Sequence, residues 1–205
     1  MSPGAGSMEM NTITGTKTIN IALVGVGGQG TLLASEVVSR AAMLSGRDVK
    51  KSEVHGMAQR GGSVVSQVRV GEKVYSPLIP DGETDFLVSF ELLESLRYAD
   101  LLSPNGVALI NNQTIVPVTV SSGQQPWLED IDSRIERAFP NRRVIDALDM
   151  ARGLGNIRVV NMIMTGALSR FMDIDEQAWN QAVVELVPAR HRDVNIQAFA
   201  AGRGV

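Results

Sequence analysis

The 205-residue chain contains no cysteine. That excludes disulfides, a thiol nucleophile and Cys-ligated zinc. It also excludes an ordinary iron–sulfur cluster held by this chain, because such clusters hang on Cys thiolates. Histidine is almost as scarce, with only His55 and His191, so a His-built catalytic zinc site lacks its ligands and no metal site is expected. Basic charge is not in excess either: 19 Lys and Arg stand against 22 Asp and Glu, a net charge of −3. The basic stripe of a nucleic-acid binder is missing. No apolar run approaches the ~20 residues of a membrane helix. Residues Met1 to Thr18 are polar, rich in Gly, Ser and Thr, and lack the apolar stretch of a signal peptide. The expectation is a soluble, cytoplasmic protein, with a flexible segment over 1–18 and one domain over 19–205, bound to neither membrane nor nucleic acid.

What is present is globular: 44% hydrophobic residues and 20% charged, enough apolar surface for a core. Ile19 to Val24 is a short apolar run that suits a strand buried on both faces. A glycine turn covers Gly25 to Gly30. A helix follows from about Thr31 to Ser45, with Leu33, Val37, Ala41 and Leu44 on one face and Gly46 as its stop. Val49 to Val54 predicts a second strand and His55 to Gly62 a loop. Ser63 to Val70 alternates as a strand, and Gly71-Glu72 would turn it back into Lys73 to Tyr75 as a hairpin. Ser76 to Gly82 reads as irregular.

Asp85 to Phe90 is another buried strand, and Asp85 at its start reads as a cap or turn residue. Glu91 to Leu102 reads as a helix ended by Ser103-Pro104-Asn105-Gly106. Val107 to Asn111 is a strand and Thr114 to Val120 a weaker one. Trp127 to Phe139 is an amphipathic helix and Val144 to Asp146 a short strand. Asn156 to Met172 is apolar on most sides, so it belongs in the core or at a subunit contact. Met162, Met164 and Met172 read as packing residues there. Asp173 and Glu176 resemble a capping pair for a helix carrying Trp179, Val183 and Leu186. Arg190-His191-Arg192 reads as a solvated helix end. Alternating strands and helices predict an α/β, Rossmann-like fold: a mainly parallel sheet flanked by helices, with a helical C-terminal part.

Two loops carry chemistry. Gly25-Val26-Gly27-Gly28-Gln29-Gly30 fits G-x-G-x-x-G between a buried strand and an amphipathic helix. Glycines let the backbone approach a phosphate, and the N–H groups at the helix start bind the anion. Thr31 offers a hydroxyl. The alternative is a tight turn with no ligand. The acidic residue a dinucleotide site needs, about 20 residues on, is missing on time: Asp48 precedes its strand and Glu53 comes late. The second loop is Glu53-Val54-His55-Gly56-Met57-Ala58-Gln59-Arg60-Gly61-Gly62. Arg60 can grip a carboxylate or phosphate with two hydrogen bonds, and His55 titrates near neutral pH. The alternative there is a surface loop with ordinary ion pairs. In a parallel sheet both loops lie at the carboxyl edge and converge on one site. No nucleophile pairs with His55, so a hydrolytic triad is not supported.

GVGGQG, then SEVHGMAQRGGSVVSQVRVG, then SPLIPDGETDFLVSFE resembles the gamma domain of the 2-oxoacid:ferredoxin oxidoreductases, and within them the beta-subunit branch of the indolepyruvate enzymes. NMIMTGALS, residues 161 to 169, resembles that family's C-terminal part. The resemblance implies a small oxidoreductase subunit, inactive alone. Its complex would convert a 2-oxo acid, coenzyme A and oxidised ferredoxin to an acyl-CoA, carbon dioxide and reduced ferredoxin. Thiamine diphosphate, Mg2+ and [4Fe–4S] clusters would sit on a larger partner subunit. Two readings of the loops follow. In one, Gly25, Gly27, Gly28, Gln29, Gly30, Thr31, Gln59, Arg60 and Gly61 form part of a shared coenzyme A pocket. In the other they dock the partner, with Glu53 and His55 as candidate catalytic residues facing it. An orphan subunit exposes its interface, so the isolated chain is expected to aggregate or pair with itself, with Asn156 to Met172 as the contact. Outside the family, the residues also allow a stand-alone NAD- or ATP-binding enzyme, or a binding scaffold.

Overall fold

The computed structural model describes residues 17–55 and 62–205. The first strand, β1 (Ile19–Val26), leads through the glycine turn into α1 (Thr31–Leu44), and then β2 (Asp48–His55) and β3 (Ser63–Gly71). β4 (Thr84–Ser89), α2 (Leu92–Arg97) and β5 (Leu102–Asn111) follow. Then come α3 (Val118–Ser121), α4 (Ile131–Ala138), β6 (Arg142–Ile145) and α5 (Ala147–Gly153). The chain closes with α6 (Val160–Ser169), α7 (Glu176–Leu186) and α8 (Arg192–Arg203).

One six-stranded sheet has the order β2-β3-β1-β4-β5-β6. β1, β4, β5 and β6 pair in parallel. β3 runs antiparallel to both β1 and β2, so β2 points the same way as β1. The reason lies in connection length. Parallel neighbours need a crossover of a dozen or more residues, and only residues 56–62 join β2 to β3. α1 therefore carries the chain past one position, and β3 turns back to fill it. The carboxyl ends of β1, β2, β4, β5 and β6 share one edge, as the sequence reading required.

The faces are covered unequally. Ile21, Leu23, Val68, Val70, Phe86, Val88 and Leu109 pack against α1 and α5 to α8. Ala22, Val24, Leu87, Ala108 and Ile110 pack under Leu92 of α2, Ile135 of α4 and Phe139. All ten residues of α6 are buried. The segment placed at a subunit contact is thus interior: α8 covers it, and small residues let the two backbones meet. No helix among the described residues is long and apolar enough to cross a membrane.

Local readings were corrected where tertiary contacts outweighed local signals. No hairpin returns through Lys73 to Tyr75. Instead Val74 is buried and its N–H donates to Asp48 Oδ2 at 2.9 Å, while Arg69 Nη1 bonds the carbonyls of Ser76 and Leu78. Ser103 to Gly106 does not end a helix; it lies inside β5. The register to β4 shifts there, which accommodates Pro104 without a ladder N–H. Gly106 is needed because a Cβ would stand 2.8 Å from Thr84 O. Thr114 to Val120 is not a strand; its end forms the one-turn α3. Helix α7 begins with Asp175 as N-cap, without a side-chain cap bond, so Asp173 and Glu176 form no capping pair.

Candidate functional site

The carboxyl edge is assembled from Val26 beside Ser63, Val24 beside Ser89, Ser89 beside Ile110 and Asn111 beside Ile145. The glycine turn and the described end of the second loop meet there. Gly27 N–H donates to Gly62 C=O at 2.8 Å, which ties the glycine turn to the far end of the second loop. Ser63 then anchors that end under α2, where its hydroxyl donates to the Glu94 carboxylate and lies 3.0 Å from Tyr98 Oη.

The turn itself is held by the side chain at its last variable position, Gln29. Gln29 Oε1 accepts from Val26 N–H at 2.7 Å, and Gln29 Nε2 donates to Phe90 C=O at 2.9 Å. Gly30 has φ of 82°, a left-handed position, and a Cβ there would meet Asn161 Nδ2 at 2.5 Å. Asn161 Nδ2 reaches Gly30 C=O at 3.3 Å. Gly30 at the N-cap offers no side-chain bond to α1 and no acidic residue stands in its first turn, so α1 itself leaves the positive end of its dipole unneutralised. Thr31, at the first position of α1, is buried, and its hydroxyl oxygen has no hydrogen-bond partner among the described residues.

Gly28, Gln29 and Gly30 form one wall of a cavity of about 320 Å³. Gln113, Leu148, Ile157, Arg158 and Val160 form the rest. Arg158 is exposed and its guanidinium pairs with no carboxylate among the described residues. Sequence reading missed Arg158, Gln113 and Asn161, because nothing local marks residues that only the α5–α6 connection and the end of β5 bring to the glycine turn. The two turns before α6 did carry a signal: Asn156 Oδ1 accepts from Arg158 N–H at 3.0 Å, a local cap that presents Arg158 outward.

The other predicted residues stand apart. Glu53 is 2.8 Å from Lys51 Nζ and 3.4 Å from Ser35 Oγ, in an ion-pair cluster with Glu36 between β2 and α1. Of His55 only the backbone, closing β2, is described. Gln59, Arg60 and Gly61 lie outside the described residues. A second carboxylate at this edge, unforeseen, is Glu91. It is buried, and it accepts from Glu94 N–H at 2.8 Å and Ile115 N–H at 3.0 Å. Burial pushes its carboxyl above the ordinary range, against the pull of those N–H donors. Asp85 lies inside β4 and not in a cap or turn, and its carboxylate accepts from Lys17 Nζ and Asn20 N–H at the start of β1. Among the described residues no three His, Asp or Glu side chains gather as a metal would need.

A mostly parallel sheet with a glycine turn at its carboxyl edge is the class that fold and site define. The sequence model of the pyruvate ferredoxin/flavodoxin oxidoreductase family matches residues 20–205, and the chain belongs to that family. It is 39% identical over 191 residues to the indolepyruvate oxidoreductase subunit IorB of Thermococcus kodakarensis, covering 91% of this chain and 95% of that one. Its fold is similar to a keto/oxoacid ferredoxin oxidoreductase gamma subunit from Geobacter sulfurreducens, with a TM-score of 0.66 at 22% identity over 90% of this chain and 95% of that one. It is also similar to the 2-oxoglutarate:ferredoxin oxidoreductase of Magnetococcus marinus, solved with 2-oxoglutarate, coenzyme A and succinyl-CoA bound. There the TM-score is 0.72 at 18% identity, over 92% of this chain and 31% of that one. The chain is thus an oxidoreductase subunit of the 2-oxoacid:ferredoxin type. The stand-alone NAD- or ATP-binding enzyme is not supported.

Proposed function

We propose that this chain is the small, gamma-type subunit of an indolepyruvate-type 2-oxoacid:ferredoxin oxidoreductase, with 19–205 as one domain, and that it supplies the phosphate-receiving wall of the coenzyme A pocket. One observation carries the proposal. The uncapped start of α1 and the free guanidinium of Arg158 face a common cavity whose other wall is Leu148, Ile157 and Val160. Coenzyme A has that polarity: phosphates at one end and a thin, largely apolar pantetheine arm. The turn N–H groups would receive a phosphate, Arg158 would add two charge-assisted bonds, and the arm would lie along the apolar wall.

The complex joins a 2-oxo acid and coenzyme A, releases carbon dioxide and passes two electrons to ferredoxin. Thiamine diphosphate, with Mg2+, supplies the decarboxylation chemistry and [4Fe–4S] clusters the electron path, both on the larger subunit. A chain with no cysteine has no thiolates for a cluster. The subunit works in the cytoplasm as part of that complex.

The test uses the complex purified anaerobically with its larger subunit, followed by 2-oxo-acid-dependent dye reduction. Arg158→Ala is expected to raise the coenzyme A KM by roughly 10- to 100-fold, the weight of a charged hydrogen-bonded contact, and to leave the 2-oxo acid KM unchanged. An unchanged coenzyme A KM would sink the pocket reading. A panel of aryl and aliphatic 2-oxo acids then tests the indolepyruvate assignment.

A further inference from the structure

β1 and β4 are parallel neighbours whose connections leave in opposite directions, α1 onto one face toward β2 and α2 onto the other toward β5. Such a point opens a crevice at the strands' carboxyl ends, where open sheets take ligands. Here one side chain spans it. Gln29 runs from Val26 N–H on the β1 side to Phe90 C=O on the β4 side. Phe90 N–H in turn donates to Val24 C=O at 2.9 Å. The same Phe90 carbonyl accepts from Asn111 Nδ2 at 3.0 Å, and Asn111 Nδ2 also reaches Gln113 Oε1 at 3.1 Å. Gln29 and Gln113 both line the cavity. The first glycine of the motif serves this arrangement: a Cβ on Gly25 would stand 2.8 Å from Gln29 Oε1 and 3.1 Å from Phe90 Cβ.

We infer that Gln29 is a positioning residue of the coenzyme A pocket, one that acts through the Phe90 carbonyl to hold the glycine turn at a set distance from the Gln113 wall. The inference rests on the coenzyme A reading above. Both polar atoms of the Gln29 amide are committed to the backbone, so its contribution is the shape of the turn. Asn111 is the matching strut on the other side of the shared carbonyl.

The experiment compares Gln29→Met, Gln29→Glu and Arg158→Ala in the assembled complex. Gln29→Met keeps the length and loses both bonds. It is expected to raise the coenzyme A KM about tenfold, the equivalent of one to two net hydrogen bonds, with the 2-oxo acid KM unchanged. Gln29→Glu keeps the acceptor for Val26 but sets a carboxylate against a carbonyl. Its coenzyme A KM is expected to recover toward wild type as pH falls, relative to Gln29→Met at each pH, because a protonated carboxyl donates to Phe90 again. If Arg158→Ala raises the coenzyme A KM and Gln29→Met does not, the positioning role is overturned and the coenzyme A reading stands. If neither does, both fall. Equal changes in both KM values would also overturn it, as they mark general damage. Should Gln29→Met fail to assemble, the pH response of Gln29→Glu relative to wild type at each pH decides, and its absence counts against the role.

Discussion

Gly166 of α6 and Gly202 of α8 are reciprocal notches at one helix crossing. A Cβ on Gly166 would lie 2.1 Å from Phe199 O, and a Cβ on Gly202 would lie 1.9 Å from Ile163 O. Each glycine receives the backbone of the other helix, which seats the fully buried α6 between α8 and the sheet. The core therefore reaches across the C-terminal helices, and the site's Asn161 and Arg158 are placed by the same packing.

That crossing makes a first prediction. Gly→Ala in a helix ordinarily stabilises by about 1 kcal/mol, but here the methyl meets backbone that cannot turn aside. Gly166→Ala and Gly202→Ala are each expected to destabilise by about 2–3 kcal/mol net. Thermal unfolding should show Tm lowered by roughly 5–10 °C, and a raised Tm would contradict the packing.

Thr84 predicts the opposite sign. Its side chain is fully buried in β4 and its hydroxyl has no partner among the described residues. Thr84→Val removes that unsatisfied group at nearly constant shape, so stability should be unchanged or rise by up to about 1 kcal/mol. The urea midpoint should move upward or not at all, with the slope unchanged.

Asp48 sets an acid dependence. Hydrogen bonds from Val74 N–H and from Lys50 hold its carboxyl down at about 2, against an ordinary 3.8. Between those values the unfolded chain binds the proton and the native one does not, so stability rises with pH there. The contribution is complete above the ordinary carboxylate range and is lost as pH falls toward 2. Asp48→Asn should lower Tm at pH 6, and the gap to wild type should close on acidification. A gap that is constant with pH would exclude the ionised pairing.

Gly28 and Gly30 separate strain from contact. Both have positive φ, 104° and 82°, but only at Gly30 does an added Cβ meet a neighbour, Asn161. Alanine at either position costs backbone strain of about 1–2 kcal/mol. Asn161→Ala should relieve part of the cost of Gly30→Ala and none of that of Gly28→Ala, read as a double-mutant cycle in unfolding free energy.

The glycine turn, its preceding strand and its following helix were legible in order, because a continuous apolar run, a glycine cluster and a helical apolar stripe are local patterns. So was the shared edge from which both loops leave, since strands of one direction put their carboxyl ends on one edge. The Lys73 to Tyr75 hairpin was misread because Asp48, remote in sequence, captures the Val74 N–H, while Arg69 draws the chain that follows onto its guanidinium through the Ser76 and Leu78 carbonyls. Ser103 to Gly106 looked like a helix stop because the β4–β5 bulge that houses it depends on the neighbouring strand.

What the sequence determined by itself, then, is the element pattern, the cysteine-free chemistry and the motif string that marks the family, all of them properties of residue type and spacing. Tertiary structure decided the rest. It made α6 interior, set Glu53 in an ion-pair cluster and buried Thr31. It brought Gln113 and Arg158 to the glycine turn. Those outcomes depend on which backbone atom or side chain stands three ångströms away across the fold, and packing alone selects that neighbour.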